Sequence, residues 1–192
     1  MSLFRRSFRV ILLFVCSVVA FAQTPAGNLK HFSKDGLSFD YGSGWVVQDE
    51  SNSDAQTLRM ARADGDIQIT VFVHRGHISP EKMAQAKKSF IDPYVEASAK
   101  QFTDMGAKVE RVPDASEIAG VKADGVKIKV IVSGDSATSQ IYWALVGQRV
   151  VVLTYFGPDS DRKKFSDSWD TLRNTLKIEE IKPEAKPTPK PR

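Results

Sequence analysis

Two apolar segments separated by only two residues predict the centre of the fold. Residues 139–146 and 149–156 flank Gly147 and Gln148, whose length and order fit a two-residue β-turn with glycine where a positive φ angle is needed. Residues 150–153 are all apolar, whereas a strand with one face in water alternates apolar and polar side chains. We therefore predict that this hairpin is the central one of its sheet, with other elements packed on both faces.

Alternating apolar and polar residues predict further strands. In residues 36–41 the alternation places Leu37, Phe39 and Tyr41 on one face of a half-buried strand. Residues 64–66 predict a hairpin turn, so we expect the early strands to form an antiparallel meander. The predicted strands are residues 36–41, 57–63, 67–73, 108–112, 120–123 and 125–133.

The segment after these early strands has the spacing of an amphipathic helix. It is predicted to begin at Ser79, which can cap free amides, with Pro80 in its first turn, and to run to about residue 91. Pro93 predicts a kink, or a restart with Asp92 as cap. The stripe that follows comprises Tyr94, Val95, Ser98, Phe102 and Met105, and Gly106 is the predicted stop.

A second helix is predicted near residue 160, with Asp159 or Ser160 as its cap. Its apolar stripe comprises Phe165, Trp169, Leu172 and Leu176, which we expect to lie on the sheet. Asp159 and Asp161 form a pair of carboxylates at its start. Acidic residues at a helix N-terminus commonly stabilise the helix by interacting with the positive end of its dipole. We therefore do not assign acid-base chemistry to them.

Residues 1–22 have the three-part layout of a cleavable secretory signal. Three arginines and no acid precede an apolar run over residues 10–21, which is shorter than the about 20 apolar residues of a membrane-spanning helix. Small side chains at Ala20 and Ala22 suit a signal peptidase, and cleavage after Ala22 would leave Gln23 as the new N-terminus. We therefore predict export to the periplasm or the extracellular space.

Two other interpretations of this segment concern the export route. The series Arg5-Arg6-Ser7-Phe8 matches the core of a twin-arginine signal, although the strong hydrophobicity that follows favours ordinary secretion. Cys16 could mark a lipoprotein signal, but Val15 stands where a small residue is needed. We expect Cys16 to be discarded with the signal, so that the exported chain forms no disulfide bond.

Charge and composition predict the class of partner and the domain organisation of residues 23–192. Taking the three arginines of the signal from the 27 basic residues leaves 24, against 23 acidic ones, so the exported chain has no electrostatic footprint for nucleic acid. Residues 181–192 are rich in proline and lysine and predict a disordered tail. Residues 23–180 contain no repeat or linker and predict a single domain.

The sequence contains no catalytic or cofactor-binding constellation that we can assign. It has no Gly-x-Ser-x-Gly elbow and no phosphate-binding glycine loop. His74 and His77 are weak candidates for metal ligands at the end of a predicted strand, and a third ligand is not evident. We therefore predict no catalytic residues, no cofactor and no metal site.

One segment resembles a known family. Residues 36–45, read as Gly-Leu-Ser-Phe-Asp-Tyr-Gly-Ser-Gly-Trp, resemble the opening strand, turn and tryptophan of PsbP-like domains, with Gly42 where proline is common. The order of the predicted elements, the hairpin of residues 142–155 and the closing helix around Trp169 are also similar. The resemblance implies an α+β fold with an antiparallel β-sheet sandwiched by helices, used by the family mainly as a non-enzymatic binding module.

These observations predict an exported, non-enzymatic binding or interaction module of the cell envelope, whose partner is a protein or another envelope component. One alternative is a carrier of a small apolar ligand, which needs a cavity of at least a few hundred Å³ between sheet and helix. Another is a metal-binding enzyme that uses His74 and His77. Aromatic residues could line a groove for a hydrophobic ligand or for a partner's side chains, although most are expected in the core; the candidates are Trp45, Tyr142, Trp143, Tyr155, Phe156 and Trp169. Tyr142 and Trp143, as neighbours on a strand, must point to opposite faces of the sheet.

Overall fold

The computed structural model describes residues 28–132 and 134–179. The predicted signal of residues 1–22, its cleavage site at Ala22 and Gln23, and the predicted tail of residues 181–192 lie outside the described residues. Within the described ranges, no helix is long and apolar enough to cross a membrane.

Within residues 28–132 and 134–179, ten strands form two antiparallel sheets. The larger sheet has seven strands in the order β3-β4-β5-β9-β8-β7-β6, and the smaller has three in the order β1-β2-β10. The strands are β1 (Lys30–Lys34), β2 (Leu37–Tyr41), β3 (Trp45–Asp49), β4 (Ala55–Arg62), β5 (Gly65–His74), β6 (Lys108–Ile118), β7 (Val121–Val132), β8 (Asp135–Val146), β9 (Arg149–Pro158) and β10 (Lys177–Ile178).

The β8–β9 hairpin is central, as predicted. Gly147 and Gln148 connect the strands with φ angles of 53° and 64°, which is the conformation of a type I′ turn. β9 is the fourth of the seven strands, and residues 150–153 are all buried. Tyr142 and Trp143 are both buried, Tyr142 in the core on one face of the sheet and Trp143 in the core on the other.

The strand of residues 36–41 is correctly predicted, but its place in a meander is wrong. Leu37 and Phe39 are fully buried as expected, yet β2 pairs with β1 and β10 in the small sheet. The meander consists of β3, β4 and β5 alone. Alternation indicates which face of a strand is buried, but it does not indicate which strand lies beside it.

The strands β6 and β7 are longer than predicted. β6 runs to Ile118 and β7 continues through Gly125, where the sequence suggested a break. Gly125 lies opposite Tyr142 in the neighbouring strand, and a Cβ atom there would clash with the tyrosine ring. Glycine is therefore required within the strand by a close contact and does not end it.

The first helical region is continuous. It comprises a 3₁₀ turn (Pro80–Lys82), α1 (Met83–Ala86), a π turn (Lys87–Ile91) and α2 (Asp92–Asp104). Ser79 precedes the first turn and Pro80 lies in it, as predicted, but the Ser79 side chain makes no capping bond. The predicted cap at Asp92 is wrong, because Asp92 is itself helical. The π turn lies directly before Pro93, which has no amide hydrogen to donate to the preceding turn. Gly106 ends the region with a φ of 80°, as predicted.

The last helical region is divided in two. Pro158 precedes α3 (Asp159–Lys164), and Phe165 separates α3 from α4 (Ser166–Thr175). Neither Asp159 nor Ser160 makes the predicted capping bond. The stripe itself is confirmed, because all four of its members are buried.

Two cores lie on opposite faces of the large sheet. On one face, α4 and the small sheet cover a core that includes Leu37, Trp45, Leu153 and Trp169. On the other face, α1, the π turn and α2 cover a second core of residues such as Ile91, Phe102, Ile128, Trp143 and Val152. The predicted α+β architecture, a sheet between helical layers, is therefore confirmed.

Candidate ligand-binding groove

The helical layer leaves part of the large sheet uncovered. The fully buried residues beneath α2 come from β7, β8 and β9, and β4 contributes none of the second core. Beside α2, a groove of about 600 Å³ runs over the same face of the sheet, across β4, β5 and β9. This volume lies within the range of about 300–1,000 Å³ that is typical of small-molecule sites.

Three cross-strand rows of side chains form the floor of the groove. The first row contains Thr57, Phe72 and Val152, which lie side by side on β4, β5 and β9. The second row contains Arg59, Thr70 and Thr154 in the same strand order. The third row contains Gln68, Phe156 and Ser139, on β5, β9 and β8.

The two-residue period of the strands explains this mixed surface. Leu58, Met60, Ile69 and Val71 alternate with the floor residues and are buried in the first core. The floor residues themselves point to the face of the second core, where α2 covers only part of the sheet. Hydroxyl and amide side chains on this face therefore keep some of their hydrogen-bonding capacity.

Aromatic contacts hold the wall of the groove against its floor. At one end, the ring of Phe90 lies 6.0 Å from that of Phe72 and stacks on His74 at 5.4 Å. At the other end, Phe102 stacks on Phe156 with ring centroids 5.2 Å apart. The groove is thus bounded by packed aromatic pairs at both ends, and its wall comprises Phe90, Tyr94, Ser98, Gln101 and Phe102.

Tyr94 links the wall to the floor between these two ends. Its hydroxyl group shares a 2.9 Å hydrogen bond with the hydroxyl group of Thr154. Helical spacing predicted that Tyr94 belongs to the stripe of its helix, but its side chain is 38% exposed. It lies at the edge of the helix layer because the buried side chains of α2 are Ala99 and Phe102.

Of the described residues that line the groove, one is charged. This residue, Arg59, lies on β4, the second strand of the large sheet, and its Nη2 atom is 3.2 Å from Oε2 of Glu50. Both side chains of this pair are partly exposed, at 50% and 34%. Such surface ion pairs contribute only about 0–1 kcal/mol, so Arg59 is not firmly held by Glu50.

The two histidines proposed as weak metal candidates do not lie over the groove floor. Nδ1 of His74 accepts a 3.0 Å hydrogen bond from the amide of Gly76, and its ring stacks on Phe90. His77 is exposed. In the described ranges, no three side chains of histidine, cysteine, aspartate or glutamate form a cluster that could hold a metal ion.

The carboxylates of Asp159 and Asp161 tie α3 to the sheet. Asp159 accepts a 2.7 Å hydrogen bond from Thr138, and this bond lowers the pKa of the Asp159 carboxyl group below its usual value. Asp161 accepts a 2.7 Å hydrogen bond from the amide of Asp66 at the start of β5. Both groups therefore have structural partners.

A cluster of aromatic and polar residues around Trp169 lies on the opposite face of the sheet from the groove and is tightly packed. Trp169 stacks on Tyr155 at 5.0 Å and on Tyr142 at 6.2 Å. The Tyr142 hydroxyl group donates to Asp114, and burial together with this bond raises the pKa of Tyr142 far above its usual value. Burial would raise the pKa of Asp114, but the bonds from Tyr142 and Lys127 lower it overall.

Sequence reasoning did not identify the groove. Six aromatic residues were candidates for a groove from the sequence. Phe156 does line it, Trp143 is buried in the second core, and the other four, Trp45, Tyr142, Tyr155 and Trp169, are buried in the first core. The available signal was the run of hydroxyl and amide residues at alternate positions of β4 and β5. That signal could not show whether a helix covers this face.

The seven-stranded antiparallel sheet between two helical layers has the PsbP-like fold. The solution structure of cyanobacterial PsbP (CyanoP) from Synechocystis is similar with a TM-score of 0.54 and 13% sequence identity, covering 84% of this chain and 99% of that one. A crystal structure from Bacteroides thetaiotaomicron is similar with a TM-score of 0.51 and 15% identity, over 79% of this chain and 48% of that one. The resemblance noted in residues 36–45 is confirmed at the level of the fold.

Other comparisons are weaker. LpqN of Mycobacterium tuberculosis, described as involved in cell envelope biogenesis, has a TM-score of 0.42 and 13% identity, over 79% of this chain and 92% of that one. This score indicates only a loose likeness. No protein-family model matches the chain, and no curated protein matches its sequence.

Proposed function

We propose that this protein is an exported, non-enzymatic binding module of the cell envelope, and that the groove beside α2 binds a small amphipathic ligand. The observation that carries the proposal is the groove itself, about 600 Å³ in volume, between a helix and the open part of a sheet. The carrier alternative drawn from the sequence required such a cavity. Export is supported by the signal pattern of residues 1–22.

The chemistry of the lining supports an amphipathic ligand. Phe72, Phe90, Phe102 and Phe156 offer apolar area, whereas threonine, serine and glutamine side chains offer hydrogen bonds. A few polar groups on an apolar surface orient a ligand and provide specificity. A purely apolar molecule would leave these polar groups without partners, which costs free energy.

The same lining supports binding without catalysis. Among the described residues, those that line the groove include no histidine, cysteine, aspartate or glutamate. These residue types supply most general bases in enzymes, and the serine and threonine hydroxyl groups of the lining would need such a base to act as nucleophiles. The nearly balanced charge of residues 23–192 supports a partner other than nucleic acid.

Filling the groove tests the proposal. The neutral fluorophore N-phenyl-1-naphthylamine is titrated into the exported protein and into two variants on α2. Ser98→Trp places a large side chain in the groove, whereas Ala97→Trp, at the exposed neighbouring position, serves as the matched control. We expect saturable binding to the wild type and to the control, and binding at least tenfold weaker to Ser98→Trp.

Two further measurements complete the test. Circular dichroism and urea unfolding establish that both variants are folded, so that a loss of binding reports on the groove. Mass spectrometry of an organic extract of the exported protein identifies any small molecule that is purified with it. Absence of saturable binding to the wild type, or equal binding to the two variants, would overturn the proposal.

A further inference from the structure

The charge in the groove narrows the class of ligand. We infer that the ligand is an amphipathic organic anion, with a carboxylate or sulfonate head group bound by Arg59 and Thr70 and an apolar body bound between the aromatic ends. This inference rests on the proposed function of the groove and specifies the chemistry of its ligand.

Arg59 and Thr70 are placed to bind one head group together. They are direct partners in the β4–β5 register, and opposite residues on one face of such a pair have Cβ atoms about 4.5–5.5 Å apart. Thr70 Oγ1 accepts a hydrogen bond of 3.1 Å from Gln68 Nε2, so its own hydroxyl hydrogen can be donated to a ligand. A guanidinium group and a hydroxyl group then donate to the same carboxylate.

The existing partner of Arg59 leaves capacity for a ligand. Among the described residues, Glu50 alone lies within ion-pair distance of Arg59, with Nη2 of Arg59 3.2 Å from Oε2 of Glu50. A guanidinium group has five N–H donors, and it binds a carboxylate most strongly through two parallel hydrogen bonds. A ligand carboxylate can therefore displace Glu50 or bind beside it.

The floor of the groove is long enough to bind the head group and the apolar body of a ligand at different places. The second row runs from Arg59 on the open side to Thr154 under Tyr94, which spans two strand spacings, about 10 Å. Aromatic side chains flank this row on both sides, at Phe72 and Phe156. An anion at the open end thus keeps its charge near water while its apolar part lies under the helix.

The electrostatic surroundings favour an anion over a cation. The described residues lining the groove include one cation and no acid. A ligand ammonium group would meet Arg59 without a carboxylate in the lining to compensate, whereas an anion would be attracted to it. The attraction should weaken as salt is added, because this end of the groove is open to solvent.

A matched pair of fluorophores tests the inference. The compound 8-anilino-1-naphthalenesulfonate differs from N-phenyl-1-naphthylamine by one sulfonate group, so the two share an apolar body. We expect the exported protein to bind the sulfonate about tenfold more tightly than the neutral compound. We also expect Arg59→Gln to remove this difference, since a hydrogen-bonded charge pair is worth about tenfold or more in affinity.

Two variants control for changes in net charge and in the surface ion pair. Arg111→Gln removes an arginine that pairs with Glu96 outside the groove, and it should leave binding of both compounds unchanged. Glu50→Gln frees Arg59 and should tighten binding of the sulfonate by up to about fivefold. Raising the ionic strength from about 10 mM to about 500 mM should weaken binding of the sulfonate alone, because added salt screens the attraction between its charge and Arg59.

The outcomes distinguish this inference from the proposed function. If the neutral compound binds in the groove but the sulfonate binds no better, or if Arg59→Gln and Arg111→Gln behave alike, the anion inference is overturned and the groove proposal stands. If the neutral compound does not bind saturably to the wild type, the groove proposal is overturned, and the anion inference that rests on it falls as well.

Discussion

The stability of this fold should depend on pH through Tyr155, a tyrosine buried in the central strand. Its side chain is 1% exposed, and its hydroxyl group donates a hydrogen bond of 2.9 Å to the carbonyl oxygen of Arg162. Burial raises the pKa of Tyr155 from 10.0 to about 12, because the ionised phenolate would lose its hydration. The neutral form is therefore favoured in the folded protein.

The sign and size of the effect follow from this difference. A group whose pKa is raised by folding contributes stability that is fully present below its unfolded pKa and is lost as the pH rises through its folded pKa. For Tyr155 the loss begins near pH 10 and is complete above about pH 12. At pH 11 ionisation stabilises the unfolded chain by about 1.4 kcal/mol and the folded protein by about 0.1 kcal/mol.

The variant Tyr155→Phe isolates this contribution. At pH 8 it should lower the free energy of unfolding by about 1 kcal/mol, because one buried hydrogen bond is lost. At pH 11 the wild type loses about 1.3 kcal/mol that the phenylalanine variant does not, so the two proteins should be nearly equal in stability. Other titrating groups are present in both proteins and cancel in the comparison.

Urea unfolding followed by circular dichroism at pH 8 and pH 11 measures both differences. Equal m-values at the two pH values indicate that the same surface is exposed on unfolding in each protein. A deficit of the phenylalanine variant that stays constant between pH 8 and pH 11 would refute the argument. It would show that the folded protein does not hold the Tyr155 pKa above the value in the unfolded chain.

Three further changes test the packing and the turn by urea unfolding. Trp169→Ala should destabilise the fold by about 3–5 kcal/mol through loss of buried area and cavity formation, whereas Leu29→Ala, at an exposed position, should cost under about 0.5 kcal/mol. Gln148→Gly should stabilise it by up to about 1 kcal/mol, because Gln148 has a φ of 64°, and an unchanged or lower stability contradicts this. Arg149→Met and Gln56→Leu should each cost about 2–3 kcal/mol, because each leaves one member of the buried 2.6 Å hydrogen bond without its partner. The double variant should cost clearly less than their sum, and additive costs would rule out the coupling.

Much of the fold could be predicted from local patterns. The β8–β9 hairpin followed from the turn at Gly147 and Gln148 and from apolar side chains on both faces of residues 150–153. The buried stripe from Phe165 to Leu176 was also correct, although Phe165 divides the helix in two. Such features depend on neighbours in sequence, through strand and helix periodicity and turn geometry.

Two of the errors concern contacts between residues far apart in the chain, and the others concern local helix boundaries. Nothing near residues 36–41 indicates that β2 pairs with β10, 140 residues further on, which completes a separate sheet. The break expected near Gly125 was wrong because the reason for that glycine is a ring on the neighbouring strand. The predicted caps at Asp92 and Asp159 were wrong because a π turn and Pro158 set the boundaries instead.

The sequence alone determines which side chains in this protein need burial and where its chain can turn, because these properties depend on residue chemistry within a few positions. Only the tertiary structure decides that α2 covers β7 to β9 and leaves β4 and β5 open, since the placement of a helix on a sheet is set by packing over the whole face. That placement brings Arg59, Thr70, Tyr94 and Phe90 from four elements to one groove. The candidate site is therefore a product of packing, which no local pattern in the chain contains.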